Sequence, residues 1–465
     1  MEITHELLSI QNPWWKKISL ELDPVIEAYN NQVIKWRPKV LTELEIDKDK
    51  IHLWQGPRGV GKTTTIKLLI KELIIKRNIN PENIFYYSCH NIVTYEQLNE
   101  LIKTFLNQQS SQNKKRVFIF IDEVTLVKDW VKGIDFLARA RKLKNVTLFL
   151  TGSSLLIEQY KKIKNLPIKV DCKIITSLNF FEFVSLVNPA IIKKIKPNNY
   201  LKYKNQLDYY LDIYFLTGGF LASINSFFER GAVSQRIYSN YLYWQITDIA
   251  KIGRDIFLMR QILEQVLLKL GRPVGYKTIA KKTKAKTHLT VAEYLNIFES
   301  MFALKLIYQI GPNKELAKSK AKKVYFRDPF LFWLFYSYIH GSLNYWQFSR
   351  ERLHQPEIFS ALVENVIFSH LIKAETLKNW GERVNYWRDN IRKTEINFLV
   401  KQKDKNLPIL IRYQKKISLI DKKIFKQAGF TGGIIISQEE LDLNSKIKII
   451  PLTYFLLFYK NYLTS

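Results

Sequence analysis

The sequence predicts an α/β protein organised around a parallel sheet, and three observations predict it. Continuous apolar runs at Ile51 to Gln55, Val117 to Ile121 and "NVTLFL" (145–150) read as strands. The second has the unbroken hydrophobicity of a strand covered on both faces, as in a parallel sheet. Between the first run and the helix-period segment "TTIKLLIKELII" lies "WQGPRGVGKTTT", residues 54 to 65, in which Gly, four residues and Gly-Lys-Thr follow one another.

Strand, glycine loop and helix in that order make a cradle for phosphates. Gly56, Gly59 and Gly61 let backbone N–H groups turn inward where side chains would obstruct them. The cradle spans Gly56, Pro57, Arg58, Gly59, Val60, Gly61, Lys62, Thr63 and Thr64, and the helix N-terminus behind it favours negative charge. Lys62 is expected to reach the β- and γ-phosphates of ATP, and Thr63 to enter the shell of Mg²⁺. The second strand ends in Asp122 and Glu123. Asp122 is expected to hold Mg²⁺ through water, while Glu123 orients and deprotonates an attacking water. The third strand exits through Thr151-Gly-Ser-Ser154, whose Thr151 and Ser153 hydroxyls are placed to contact that water or the γ-phosphate.

At 465 residues and 47% apolar content, the chain has room for two to four domains with ordinary cores. Its 72 Lys and Arg against 42 Asp and Glu leave a net charge of +30, which attracts a polyanion, and nucleic acid, DNA foremost, is the expected partner. Cys89 and Cys172 are too few for a disulfide framework or a zinc cluster, and no histidine pairs with another His or Cys at ligand spacing. "MEITHELLSIQ" lacks a secretory pattern, and "FLFWLFYSYI" and "YFLLFY" fall short of the roughly 20 residues that cross a bilayer. A cytoplasmic protein without membrane contact is expected, its oligomeric state left open, a homo-oligomer included.

The ordered series "KWRPKVL", "GPRGVGKTT", "FIDEVTLVKDW", "LTGSS", "SLNFFEF", "YFLTGGF", "TDIAKIGRD", "THLTVAEYL" and "VYFRDPF" resembles the archaeal-type AAA+ ATPases that carry a C-terminal restriction-endonuclease-like domain. The resemblance implies a P-loop NTPase sheet of the additional-strand type, a helical lid, a winged helix and a nuclease-like tail. Family members usually place Leu-Pro-Gly-Arg-Arg before "SLNFFEF". Here "NLPIKV" puts Ile168 and Lys169 in place of Gly and Arg, which argues against a trans-acting arginine, since an ammonium cannot reproduce a guanidinium fork. Arg254, in "KIGRD", is a secondary candidate for phosphate or interdomain contact.

The division expected on these grounds is 1–190 for the ATPase sheet, 191–265 for the lid, 266–330 for the winged helix and 331–465 for the tail. "NNYLKYKNQLDYYLDIYFLTGG" has helical period and stops on Gly218 and Gly219. A short helix at Lys277 to Lys282 then leads to Thr290, read as a helix cap with Glu293 completing a capping box. Val291, Tyr294, Phe298, Met301 and Phe302 share one face of that helix, and "KLIYQI" with "KKVYF" supplies the wing. Lys277, Lys281, Lys282, Lys284 and Lys286 are candidates for phosphate contact.

In active nuclease-like members a helix Glu, a strand Asp and a Glu-x-Lys pair hold a divalent ion. Here Glu364 fills the helix position, Asn397 replaces the strand acid, and Leu410 and Arg412 replace the Glu-x-Lys pair, so metal binding and cleavage are not expected. Glu395 is the one nearby acid that could substitute, and Arg388, Arg392 and Lys393 suit backbone contact with DNA. "YWRD" is the place where a base could stack beside a basic residue. The sequence therefore reads as an ATP-hydrolysing protein whose nucleotide state gates contact with DNA. The alternative reading is a switch or transcription regulator with negligible turnover.

Overall fold

The computed structural model describes residues 5–110, 115–154, 157–311, 315–317, 319–373, 383–403 and 405–463. The chain divides into two compact units, Met1–Thr176 with Ser300–Phe302, and Ser177–Glu299 with Ala303–Ser465.

The first unit carries five strands, β1 (Lys50–Gln55), β2 (Ile84–Ser88), β3 (Val117–Asp122), β4 (Val146–Gly152) and β5 (Lys169–Ile174). They run in the order β2-β3-β4-β1-β5, all parallel. β1, β3 and β4 are buried along their whole length, as their unbroken apolar composition requires of inner strands. β5 is only half-buried, which suits an edge strand of alternating charge. The residues between β1 and β3 cross over through helix α1 (Lys62–Ile75), β2 and the helix Tyr95–Ser110. Leu53, Phe85, Ile119, Trp130 and Leu148 pack into one core around the sheet. β1 and β4 lie side by side, so the loop after β1 and the turn after β4 emerge at the same edge. The β3 terminus emerges there too.

The second unit begins with helices. Lys204–Thr217 ends on the Gly218-Gly219 turn as the composition predicts. Its geometry explains the glycines. Gly218 has φ +60, and a Cβ there would meet the Asp328 carboxylate at 1.9 Å, while a Cβ on Gly219 would meet the Leu178 carbonyl at 2.0 Å. Asp328 accepts from Gly219 N–H at 3.0 Å and caps the helix Pro329–Ile339 through Phe330 N–H at 2.8 Å.

Helices α2 (Tyr276–Lys281) and α3 (His288–Ser300), followed by the antiparallel pair β6 (Leu304–Ile307) and β7 (Lys323–Phe326), form the winged-helix arrangement. The α3 cap differs from the reading above. Thr287 accepts from the Thr290 N–H at 3.3 Å, so Thr290 already lies in the first turn, and Glu293 pairs with Arg254 at 2.9 Å instead of closing a capping box.

The last sheet has the order β12-β11-β10-β9-β8. Its strands are β8 (Val384–Asp389), β9 (Thr394–Lys401), β10 (Asn406–Ile411), β11 (Gly433–Ser437) and β12 (Ile447–Pro451). β8, β9 and β10 are antiparallel, and β10, β11 and β12 are parallel. Helix α4 (Pro356–Ile372) precedes the sheet and α5 (Leu419–Gln427) crosses from β10 to β11. The wing is tied to this sheet, because Ile310 N–H donates to the Tyr386 carbonyl at 2.8 Å and Tyr386 N–H to the Tyr308 carbonyl at 3.0 Å. Among the described residues no single helix is long and apolar enough to cross a membrane.

The Gly219 contact is with backbone that cannot move aside cheaply. Gly219→Ala is expected to lower stability by about 1–3 kcal/mol in chemical denaturation.

Candidate functional site

The loop after β1 folds over the start of α1. Gly61 adopts φ +95 and Gly59 φ +75, conformations that side-chain-bearing residues rarely take, so two of the three glycines serve the backbone turn. Gly56 is required for a different reason. Its Cβ would meet the Ile175 carbonyl at 2.0 Å, so it is the close approach to the chain leaving β5 that excludes a side chain. Pro57 and Val60 are buried, Arg58, Thr63 and Thr64 half-buried, and Gly59 exposed. Arg37, in "KWRPKVL", pairs with Glu72 on α1.

Lys62 is buried. Its ammonium donates to the carbonyls of Gly56 at 2.9 Å and Pro57 at 3.1 Å and lies 3.4 Å from Glu123 Oε1. Thr63 donates to Asp122 Oδ2 at 2.7 Å. Glu123 sits at φ 55, ψ 41, left-handed backbone that costs a non-glycine residue of order 1 kcal/mol and turns its carboxylate back over the sheet edge. Ser153 N–H donates to Glu123 Oε2 at 3.1 Å. Burial pushes the Glu123 carboxyl up, but the Lys62 ammonium, Ser153 and Arg58 outweigh it and hold it below the usual carboxylate range.

Thr151 joins the two acids: its hydroxyl donates to Asp122 Oδ1 and accepts from the Glu123 N–H at 2.9 Å, so its one donor is spent on Asp122. It positions them. Ser153 likewise enters through its backbone. Sequence reasoning missed Tyr86, on β2, whose hydroxyl donates to Asp122 Oδ2 at 3.2 Å, because nothing local to "IFYYS" points across to β3. The donor set around Thr63 and Asp122 consists of hydroxyl and carboxylate oxygens within hydrogen-bond reach, which fits a hard divalent cation.

In the second unit, Lys277, Lys281, Lys282, Lys284 and Lys286 are all exposed on α2 and the segment leading to α3. Arg254 is engaged with Glu293.

The residues read as a vestigial nuclease centre lie on neighbouring elements but are each turned to other partners. Asn397 accepts from the Ile411 N–H at 2.9 Å, Leu410 is fully buried in the core, and Arg412 pairs with Asp421 of α5 at 2.6 Å. Glu364 and Glu395 do meet, on the Lys323 ammonium of β7, at 3.0 and 2.5 Å. Tyr325 donates to Glu364 Oε1 at 2.6 Å, and Arg388 reaches Glu395 Oε2 at 3.3 Å. Lys323 is 0% exposed. Burial alone would pull its pKa down, but the two carboxylates outweigh it and hold it above the ordinary value. The geometry thus revises two expectations. Glu395 does not stand in as a metal ligand, because a protein cation holds it, and Arg388 is committed to Glu395 instead of standing free for a phosphate. The alternation in "KKVYF", which puts Lys323 and Tyr325 on one face of a strand, is the signal that could have found this cluster. Among the described residues no group of three or more His, Cys, Asp or Glu is placed to hold a metal.

Residues 48–184 match the AAA domain family. Residues 209–335 and 359–455 match two domains of unknown function, DUF8612 and DUF4143. No curated protein matches the chain. Among solved structures, the chain is similar to the Aeropyrum pernix ORC1 protein in complex with DNA, at 14% identity over 72% of this chain and 91% of that one, with a TM-score of 0.30. The Aeropyrum pernix ORC2 protein, in ADPNP–ADP complexes, matches at 11% identity over 69% and 93%, with a TM-score of 0.34. A variant of Thermotoga maritima RuvB matches at 17% identity over 68% and 92%, with a TM-score of 0.28.

Removing the Lys323 ammonium leaves two partly buried carboxylates facing each other across the space it filled, with Tyr325 and Arg388 as their remaining partners. Lys323→Met is expected to destabilise the chain by about 3–5 kcal/mol in urea, and adding Glu395→Gln to recover a large part of the loss.

Proposed function

We propose that this chain, which carries an AAA domain in the P-loop AAA+ NTPase fold, binds and hydrolyses ATP with Mg²⁺ and that its nucleotide state gates contact with DNA in the cytoplasm. The observation that carries the reading is the network at the sheet edge, in which Lys62, Thr63, Asp122, Glu123 and Thr151 are linked by direct hydrogen bonds and an ion pair. Gly56 to Thr64 cradle the phosphates with backbone N–H groups, and Lys62 exchanges its carbonyl partners for phosphate oxygens. Thr63 and Asp122 would hold the metal, which when bound supplies positive charge to the phosphates. Glu123 is ionised throughout the physiological range, so it accepts a hydrogen bond from water and aims it in line. Thr151 fixes the orientation of both acids.

Within this reading residues 1–190 form the ATPase domain, 191–265 the lid, 266–330 the winged helix and 331–465 a restriction-endonuclease-like domain without cleavage activity. The exposed lysines of the α2–α3 segment contact duplex phosphates. A second reading, a nucleotide-held switch or transcription regulator with negligible turnover, is favoured by Lys169 where an arginine is expected.

Lys62→Ala is expected to abolish ATP binding in calorimetry. Glu123→Gln should retain binding and lower turnover by roughly 100-fold or more, the scale of losing a positioned catalytic group. Turnover at the wild-type rate in Glu123→Gln would remove that residue from the mechanism. Duplex DNA should raise the ATPase rate, with a half-saturating concentration that climbs steeply between about 50 and 200 mM salt. A rate indifferent to DNA favours the switch.

A further inference from the structure

A cavity of about 800 Å³ opens at one end of the last sheet. Strand register places it. Lys401, at the end of β9, faces Asn406, at the start of β10, and the starts of β11 and β12 lie on the same side. Glu395 is near the other end of β9, so the cavity and the Lys323 cluster occupy opposite ends of one sheet. Gln402, Lys403, Lys405 and the loop Ala428–Gly433 form its walls. Those walls are close-packed, since a Cβ on Gly433 would meet the Pro408 carbonyl at 2.7 Å and one on Gly432 the Lys446 carbonyl at 2.9 Å.

Lys401, Lys403, Lys405, Lys446 and Lys448 line this cavity. Among the described lining residues none is Asp or Glu, and among the described residues none of the five makes an ion pair; Asp404 lies outside the described residues. Lys448 is steered by its hydrogen bond to the Leu443 carbonyl at 2.7 Å, and the other four are exposed. Ammonium groups gathered from two separate segments, with no carboxylate among the described lining residues, repel one another and favour a polyanion. Trp387, of "YWRD", and Phe430 also line the cavity; both pack against the apolar core of the sheet and are half-buried, so part of each ring is left beside the cavity.

We propose that this cavity binds a short run of single-stranded nucleic acid, with its phosphodiester backbone on the lysines and bases stacked on Trp387 and Phe430. A volume in the roughly 300–1,000 Å³ range of ligand pockets admits a few nucleotides and excludes a duplex. Five charges spread over two segments exceed what a lone phosphate engages, whereas a backbone with a charge at every nucleotide meets them in turn. The proposal rests on the nucleic-acid reading for the class of polymer only, and on neither the nucleotide loop nor the winged helix for its site.

The test is fluorescence anisotropy of labelled dT12 with the full chain at three salt concentrations, without ATP. Lys401→Glu/Lys405→Glu/Lys446→Glu, all at exposed positions, is expected to weaken binding at least about 10-fold and to flatten the salt slope by about 2, at roughly 0.7 per phosphate contact. Trp387→Ala should weaken binding about 5-fold or more with the slope unchanged. Lys193→Glu/Lys194→Glu, at exposed positions away from the cavity lining, should leave dT12 binding intact. Circular dichroism and the denaturation midpoint verify that each variant folds. The proposal falls if the triple variant binds dT12 as the wild type does, or if inorganic pyrophosphate displaces dT12 at equal phosphate concentration, which marks a small-anion site. Duplex-independent ATPase with intact dT12 binding defeats the gating reading alone, and the reverse pattern defeats this site alone.

Discussion

A charge taken out of water must find its counter-charge, and both units are arranged around a buried ammonium that does so. In the first unit Lys62 lies between the loop carbonyls and Glu123. In the second, Lys323 lies between Glu364 and Glu395. The consequences differ because the partners differ in how replaceable they are. Two of the Lys62 contacts are neutral carbonyls, which phosphate oxygens outcompete, so the ammonium is held and yet exchangeable. Lys323 faces two full carboxylates and is sealed from solvent, so an entering metal ion would have to displace a cation covalently fixed in place. One lysine leaves its site open to chemistry, and the other closes one.

The same distinction governs the acids. Asp122 is addressed by three hydroxyls, from Thr63, Thr151 and Tyr86, on three different elements. Hydroxyls rotate and donate without charge, so they fix the direction of a carboxylate and leave its negative charge for a cation. Glu395 is addressed by Lys323 and Arg388, which neutralise it. A carboxylate held by hydroxyls remains a ligand, and one held by cations is already liganded. This is why Asp122 and Glu395, both acids on sheet strands, belong to different classes of site.

What the sequence discloses follows from how far apart the interacting residues lie. The nucleotide loop, its strand and its helix are contiguous, so the turn demands glycines at fixed offsets and Gly56 to Thr64 can be read residue by residue. The reading still mistook the reason for Gly56, because Ile175 lies more than a hundred residues away and leaves no mark beside the loop. Thr151 and Tyr86 turn toward Asp122 only once the parallel register is set, and periodicity alone cannot supply register. Thr290 and Thr287 are both plausible caps in "KTHLT", and the backbone hydrogen bond that selects Thr287 follows from the fold of the whole segment. Lys323 escaped because "KKVYF" reads locally as a β-hairpin strand, and only the attachment of that hairpin to β8 brings its polar face over α4 and β9.

These relations also change what the net charge of +30 means. Lys62, Lys67 and Lys323 are buried against acids and contribute little to the outward field, and Arg388 is in large part neutralised by Glu395. Part of the outward field comes from lysines that make no ion pair among the described residues, and two groups of these in the second unit differ in setting. The α2–α3 segment presents its lysines on exposed helix and turn positions, which in the proposed reading meet the continuous phosphate ridge of a duplex. The end of the last sheet presents them inside a cavity beside aromatic rings. Exposed lysines by themselves have no means of gripping an isolated base, and a cavity of that volume has no room for a paired one. Setting therefore sorts the two clusters by strandedness, where charge alone would treat them as equivalent.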